Sequence, residues 1–220
     1  EDVAEPVYGA PARWIAPQER ERATLDGATV VSPAEVLATH LLEVIKRNFP
    51  RLMTLKALRR LLTALTEVSD PARAEANRRM IDELVPDKVP IDLLLSILRL
   101  LLEERVSVRN LPLILEAISE ARGGLSSPEA ICEHVRQRLG FQIVAELRRE
   151  DGTVPLLQLA PEWEDRFRAY EVEGSAGMQE VALPPDEFTR LVTGVSERLS
   201  KAADQGVFPA LVTSMRRRRF

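Results

Sequence analysis

The side chains able to act as nucleophiles or metal ligands are few: one cysteine, Cys132, and two histidines, His40 and His134. Cys132 and His134 stand two apart in a helical stretch, so they leave the helix on different sides and cannot converge on a metal. His40 lies on an apolar helical stripe, which suits a core or interface histidine better than a general base. There is no phosphate-binding glycine loop, no nucleophile elbow and no zinc spacing. No nucleophile, base and oxyanion partner occur together, so catalysis, a cofactor and a metal are not expected. The one dense charge run is Arg216-Arg217-Arg218-Arg219. It can be read as a clamp for an anionic partner or as a solvated helix start, and the second reading is preferred.

With chemistry sparse, the positioning elements carry the reading. The stretch 26–49, DGATVVSPAEVLATHLLEVIKRNF, is the centre of organisation. Ser32, Pro33 and Glu35 make a helix start, with Ser32 as cap and Glu35 reaching back. Val36, Leu37, His40, Leu41, Val44 and Ile45 follow at helical spacing. Thr39 sits on the edge of that stripe, where its hydroxyl can bond back to the carbonyl of Glu35 or Val36. This spine helix must dock on something.

Hydrophobic residues make up 45% of the 220 residues and aromatics only 5%, so Leu, Val, Ile and Ala must build the core. The net charge of −4 argues against a dedicated nucleic-acid binder. A single cysteine excludes an internal disulfide. No apolar run reaches the length of a membrane span. The acidic start EDVAEP does not resemble a signal peptide, and the absence of an initial Met suggests a fragment.

The expected fold is α+β, predominantly helical, in several subdomains. Residues 1–32 are a loop-rich piece broken by Pro6, Gly9, Pro11 and Pro17, with a short strand at 13–15 and a short helix at 17–22. Residues 33–52 are the spine helix. Residues 53–140 read as an all-helical bundle. Thr54, Asp70 and Ser127 open helices there, and the helix after Pro90 is apolar on most sides and therefore central. Residues 141–220 read as an α/β domain. It should hold a hairpin of strands at 141–149 and 154–159, a short helix carrying Trp163, Phe167 and Tyr170, a loop at 174–179 and a long helix at 185–203. Phe188, Leu191, Val192, Val195 and Leu199 should face inward on that helix. A strand at 207–213 and a further helix capped by Ser214 close the expectation.

Several stretches in register resemble the cytosolic region of the type III secretion export gate (FHIPEP, or FlhA/LcrD) family. They are EPVYGAPARWI at 5–15, TVVSPAEVLATHLLEVI at 29–45, LVP at 84–86 and LLSILRLLLEERVSVRNLPLILEAISE at 94–120. EHVRQRLG at 133–140 and PALVTS at 209–214 complete the set. The run EERVSVRNLPLILEAI is the most specific. The resemblance implies a chain truncated at both ends, lacking the membrane domain and most of the first cytosolic subdomain. On this mapping 1–32 is the end of the second subdomain, 33–52 the spine helix of the first, 53–140 the third and 141–220 most of the fourth. It further implies a nonameric ring at the cytoplasmic face of the bacterial inner membrane. Complexes of flagellar export chaperones with their substrates would dock there, beside other components of the export apparatus.

The family's docking motif is an acidic residue, Pro, a small residue and an aromatic. By resemblance it falls on Glu5-Pro6-Val7-Tyr8, with Val31, Val36 and Thr39 as the matching helix positions. Glu5 and Tyr8 depart from the Asp and Phe of well-known members, and an insertion near residues 70–79 departs from the common pattern. The implied activity is non-enzymatic docking in flagellar export. The virulence-injectisome branch is the nearest alternative. A helical nucleic-acid-binding regulator, with 110–121 as recognition helix and the arginine run as phosphate clamp, is the alternative from another class. On the leading reading no nucleic acid and no small-molecule substrate are bound.

Overall fold

The computed structural model describes residues 2–5, 9–173, 179–215 and 217–220. Backbone contacts divide the chain into two compact units, 1–136 and 137–220. The fold is α+β and predominantly helical, as the sequence implied.

Unit 1 begins with a two-stranded antiparallel ribbon, β1 (Asp2–Ala4) and β2 (Pro11–Arg13), in which Val3 pairs with Ala12. A 3-10 turn at Pro17–Glu19 leads into α1 (Arg20–Leu25). The spine helix is α2 (Pro33–Arg47). A short α3 (Phe49–Leu52) leads to α4 (Leu55–Thr66), α5 (Pro71–Leu84), α6 (Ile91–Glu103), α7 (Leu111–Ala121) and α8 (Pro128–Arg138). Three start signals read in this unit are used. Thr54 Oγ1 accepts the Ala57 N–H at 3.2 Å, Asp70 Oδ1 that of Ala72 at 3.0 Å and Ser127 Oγ that of Ala130 at 3.1 Å. Each satisfies a donor left open by the first helical turn.

The core of unit 1 lies around α6 and α7. Leu94, Ile97, Leu98 and Leu101 of α6 are fully buried, as are Ile114, Leu115, Ala117 and Ile118 of α7. Leu58, Val89 and Val135 close the same core. Polar ties lock the helices in place. Asn77, buried on α5, donates from Nδ2 to the Leu65 carbonyl at 2.7 Å. Arg99 Nε donates to the Met53 carbonyl at 3.0 Å. Arg122 reaches the carbonyls of Asp87 and Lys88 at 3.2 and 2.6 Å, holding the α5–α6 connection.

Unit 2 contains α9 (Gly140–Leu147), β3 (Leu156–Gln158), α10 (Glu162–Ala169), β4 (Glu171–Glu173), β5 (Gln179–Val181), α11 (Pro185–Ala203) and β6 (Ala210–Val212). The strands form two small sheets, β3 parallel to β6 and β4 antiparallel to β5. The expected strand over 141–149 is instead the helix α9. Phe141, Ile143 and Leu147 alternate as in a strand, yet Ile143, Val144 and Leu147 also fit a helical stripe, and so short a run satisfies both periods. The partner of β3 is therefore β6 rather than a hairpin neighbour. The helix expected after Ser214 is a turn, in which the Ser214 carbonyl accepts the Arg217 N–H at 2.9 Å. On α11 the apolar stripe is less covered than expected: Leu191 and Val195 are half-buried, but Phe188, Val192 and Leu199 are exposed. The loop read at 174–179 lies outside the described residues, apart from Gln179 at the start of β5.

Candidate functional site

The described residues singled out for docking lie in two segments of unit 1, after β1 and around the start of α2. Glu5 follows β1. Its N–H donates to the Ala10 carbonyl at 2.8 Å and its own carbonyl accepts the Gly9 N–H at 2.9 Å. These two bonds close the turn of the ribbon, and Gly9 completes it with φ of +71°, where a side chain would be strained. Pro6, Val7 and Tyr8 lie outside the described residues.

Val31, Val36 and Thr39 belong to the start of the spine helix. Ser32 Oγ accepts the Glu35 N–H at 3.2 Å, and Glu35 Oε2 accepts the Ser32 N–H at 2.6 Å. This reciprocal box satisfies two open donors and fixes where α2 begins. The Ser32 backbone N–H, then the Ser32 hydroxyl, hold the Glu35 carboxyl below its ordinary value of 4.5. Behind the cap Val36 is half-buried and Thr39 exposed, on one side of the helix, while Val31 precedes the cap and is 53% exposed. The Thr39 hydroxyl makes no bond back to the helix, unlike those of Thr63 and Thr189, which reach the carbonyls of Arg59 and Pro185.

The middle of the α2 stripe is open. Leu37 is 67% exposed, Leu41 55% and Val44 40%, whereas Val36, His40 and Ile45 on its flanks are half-buried. No residue of α2 is fully buried. A helix that aligns three uncovered aliphatic side chains at i, i+4 and i+7 presents a surface suited to another apolar face.

The arginine run is neither a solvated face nor a phosphate clamp at its centre. Arg217 is buried at 6% exposure, pairs with Glu164 at 3.3 Å and with Glu171, and lies over the Phe167 ring at 5.9 Å. Phe220 stacks edge-on against Phe167 with centroids 5.4 Å apart. This aromatic and ionic knot fastens the end of the described chain to α10 and β4. Its sequence signal was the Glu164-to-Phe167 segment, acidic and aromatic on one helix. The helix of the nucleic-acid reading, α7, has six of its eleven residues buried, which leaves only part of its surface open to a partner. Arg216 lies outside the described residues.

Among the described residues no cluster of His, Cys, Asp or Glu could hold a metal ion, and no helix is long and apolar enough to cross a membrane. Cys132 is buried in the bundle.

The FHIPEP family model matches residues 1–220. The chain belongs to the FHIPEP family. It is 38% identical over 214 residues to the flagellar biosynthesis protein FlhA of Caulobacter vibrioides, covering 97% of this chain and 29% of that protein. It is 28% identical to FlhA of Bacillus subtilis over 196 residues, covering 89% of this chain and 28% of that one. The chain thus spans under a third of the length of these relatives. Its fold is similar to the nonameric EPEC SctV-C, with a TM-score of 0.67 at 20% identity over 92% of this chain and 58% of that one. It is also similar to the Chlamydia pneumoniae CdsV and CdsO protein complex, with a TM-score of 0.66 at 21% identity over 94% of this chain and 58% of that one.

Proposed function

We propose that this chain is a non-enzymatic docking module of a bacterial flagellar protein export gate. It works at the cytoplasmic face of the inner membrane, assembles into a ring and receives export chaperones with their substrates. Glu5, Tyr8, Val31, Val36 and Thr39 form the receiving surface, between residues 1–32 and the spine helix. The helical third subdomain (53–140) and the α/β fourth (141–220) hold that surface in the assembly. The observation that carries the reading is the 38% identity to a flagellar biosynthesis protein along nearly the whole chain. The likeness to a nonameric ring and to a two-protein complex supports assembly and partner binding. Those structures are 20–21% identical, well below the flagellar relative, so the flagellar branch is favoured over the injectisome branch.

The exposed Val31 and Thr39 beside half-buried Val36 suit an anchor site with a polar edge. The test is calorimetry with a flagellar chaperone–substrate complex and the domain restored at both ends. Tyr8→Ala should weaken binding by about 1–3 kcal/mol with no change in melting temperature. Unchanged affinity removes Tyr8 from the surface.

A further inference from the structure

Between Glu43 and Glu67 the sequence contains no carboxylate, although the whole chain carries a net charge of −4. The same stretch holds six cations: Lys46, Arg47, Arg51, Lys56, Arg59 and Arg60. Lys46 is neutralised by Glu43 at 2.7 Å. Arg51, Lys56, Arg59 and Arg60 are exposed and take part in no ion pair among the described residues. Elsewhere in unit 1 some exposed cations are paired locally, as Arg78 and Arg79 are with Glu75, while others, such as Arg73 and Arg109, stand singly among the described residues. What sets α4 apart is that it gathers three such cations, Lys56, Arg59 and Arg60, with no carboxylate on the same helix.

Helical spacing sorts that element into faces. Lys56, Arg59, Arg60 and Thr63 fall on one side of α4 at i, i+3, i+4 and i+7. They lie along one exposed strip of α4 together with Leu55, Ala64 and, at its C-terminal end, Glu67. The opposite side is committed to the bundle, with Leu58 fully buried and Leu62 and Leu65 half-buried. One exposed leucine of α4 borders the basic side: Leu55, 40% exposed, next to Arg59 in the helical projection.

We propose that this face of α4 is a docking site for an acidic amphipathic helix of a partner protein. Lys56 and Arg60 stand roughly 6 Å apart along the axis, the rise of one helical turn. Carboxylates one turn apart on a facing helix therefore meet both, and leucines on one flank of it cover Leu55. A lipid surface fits less well, because the apolar side of α4 is already buried in the bundle and cannot enter a bilayer. The inference rests on charge and helix geometry and is independent of the docking surface around Tyr8.

The probe is a fluorescein-labelled helical peptide of about 16 residues, long enough to hold a helix once bound. It carries glutamates at i, i+4 and i+7 with leucines beside them, and a glutamine version is the control. Anisotropy is followed with the full 220-residue chain at about 50 and about 200 mM salt. The glutamate peptide should bind, more weakly at the higher salt, and the glutamine peptide should bind at least about tenfold less tightly. The triple variant Lys56→Glu/Arg59→Glu/Arg60→Glu should lose the glutamate peptide and gain a lysine version of it. The milder Lys56→Gln/Arg59→Gln/Arg60→Gln serves if the reversed variant melts early. Equal binding by wild type and variants overturns the proposal. So does binding of phosphatidylglycerol vesicles without peptide binding, which assigns the face to lipid. Concentration-dependent association that the variants abolish, again without peptide binding, assigns it to a second copy.

Discussion

Asn77 illustrates how one side chain can hold two helices. It is 8% exposed, and its amide donates to the Leu65 carbonyl near the end of α4. That carbonyl has no partner of its own once α4 ends, so the amide serves as an external cap. Asn77→Ala should cost about 1–3 kcal/mol in urea unfolding, from a lost bond and an orphaned carbonyl. A cost near zero would mean that water replaces the amide without penalty. Thr39 is the contrasting case, exposed and without a bond back to its helix. On the docking function proposed above, Thr39→Val keeps its shape and should change chaperone affinity by under about 1 kcal/mol. Thr39→Met should disrupt docking while leaving the melting temperature intact, since Met is a good helix former. If the Met variant melts sharply lower and binding falls only in proportion, Thr39 is a packing residue.

Among the elements, α2 depends heavily on its own sequence, because none of its residues is fully buried. Its start rests on the Ser32–Glu35 box, and Ser32→Ala should reduce stability by about 1 kcal/mol. The Glu35 carboxyl is held below its ordinary value of 4.5, so the folded form binds its proton less readily than the unfolded chain. The contribution of Glu35 is therefore complete above pH 4.5 and fades as pH falls through the lowered folded value. Melting followed from pH 6 downward should show the wild type and Glu35→Gln converging at the acid end. Parallel curves would show that the carboxylate does not stabilise the cap. α6 is the opposite kind of element. Its apolar residues are buried together, and truncating Leu98 to Ala should cost about 2–5 kcal/mol.

At the scale of the whole molecule, the open stripe of α2 predicts behaviour in solution. Leu37, Leu41 and Val44 together form an apolar surface that water disfavours. Light scattering of the 220-residue chain should show mass rising with concentration, and Leu37→Glu/Leu41→Glu should flatten the dependence. A monodisperse monomer at every concentration would contradict it. Unit 2 has a similar character, with Phe141, Leu156, Phe208 and Leu211 exposed and few apolar residues, Phe167 and Leu139, buried.

What the sequence determined by itself was whatever local chemistry dictates. The caps at Ser32, Thr54, Asp70 and Ser127 were legible because a short polar side chain before a proline or an apolar run has few other uses. The central place of α6 was legible because a helix apolar on most sides cannot face water. The family resemblance was legible as well, since EERVSVRNLPLILEAI spans a helix end, a connection and a buried helix in fixed register. Tertiary structure alone decided the rest. It made α9 a helix, because a run apolar at both periods takes the form its surroundings favour. It paired β3 with β6 rather than with a hairpin neighbour, a choice set by contacts more than fifty residues apart in the chain. It also buried Arg217 between Glu164 and Glu171. A run of four arginines reads as solvent-facing until acidic partners brought from elsewhere offset the cost of taking one of them out of water.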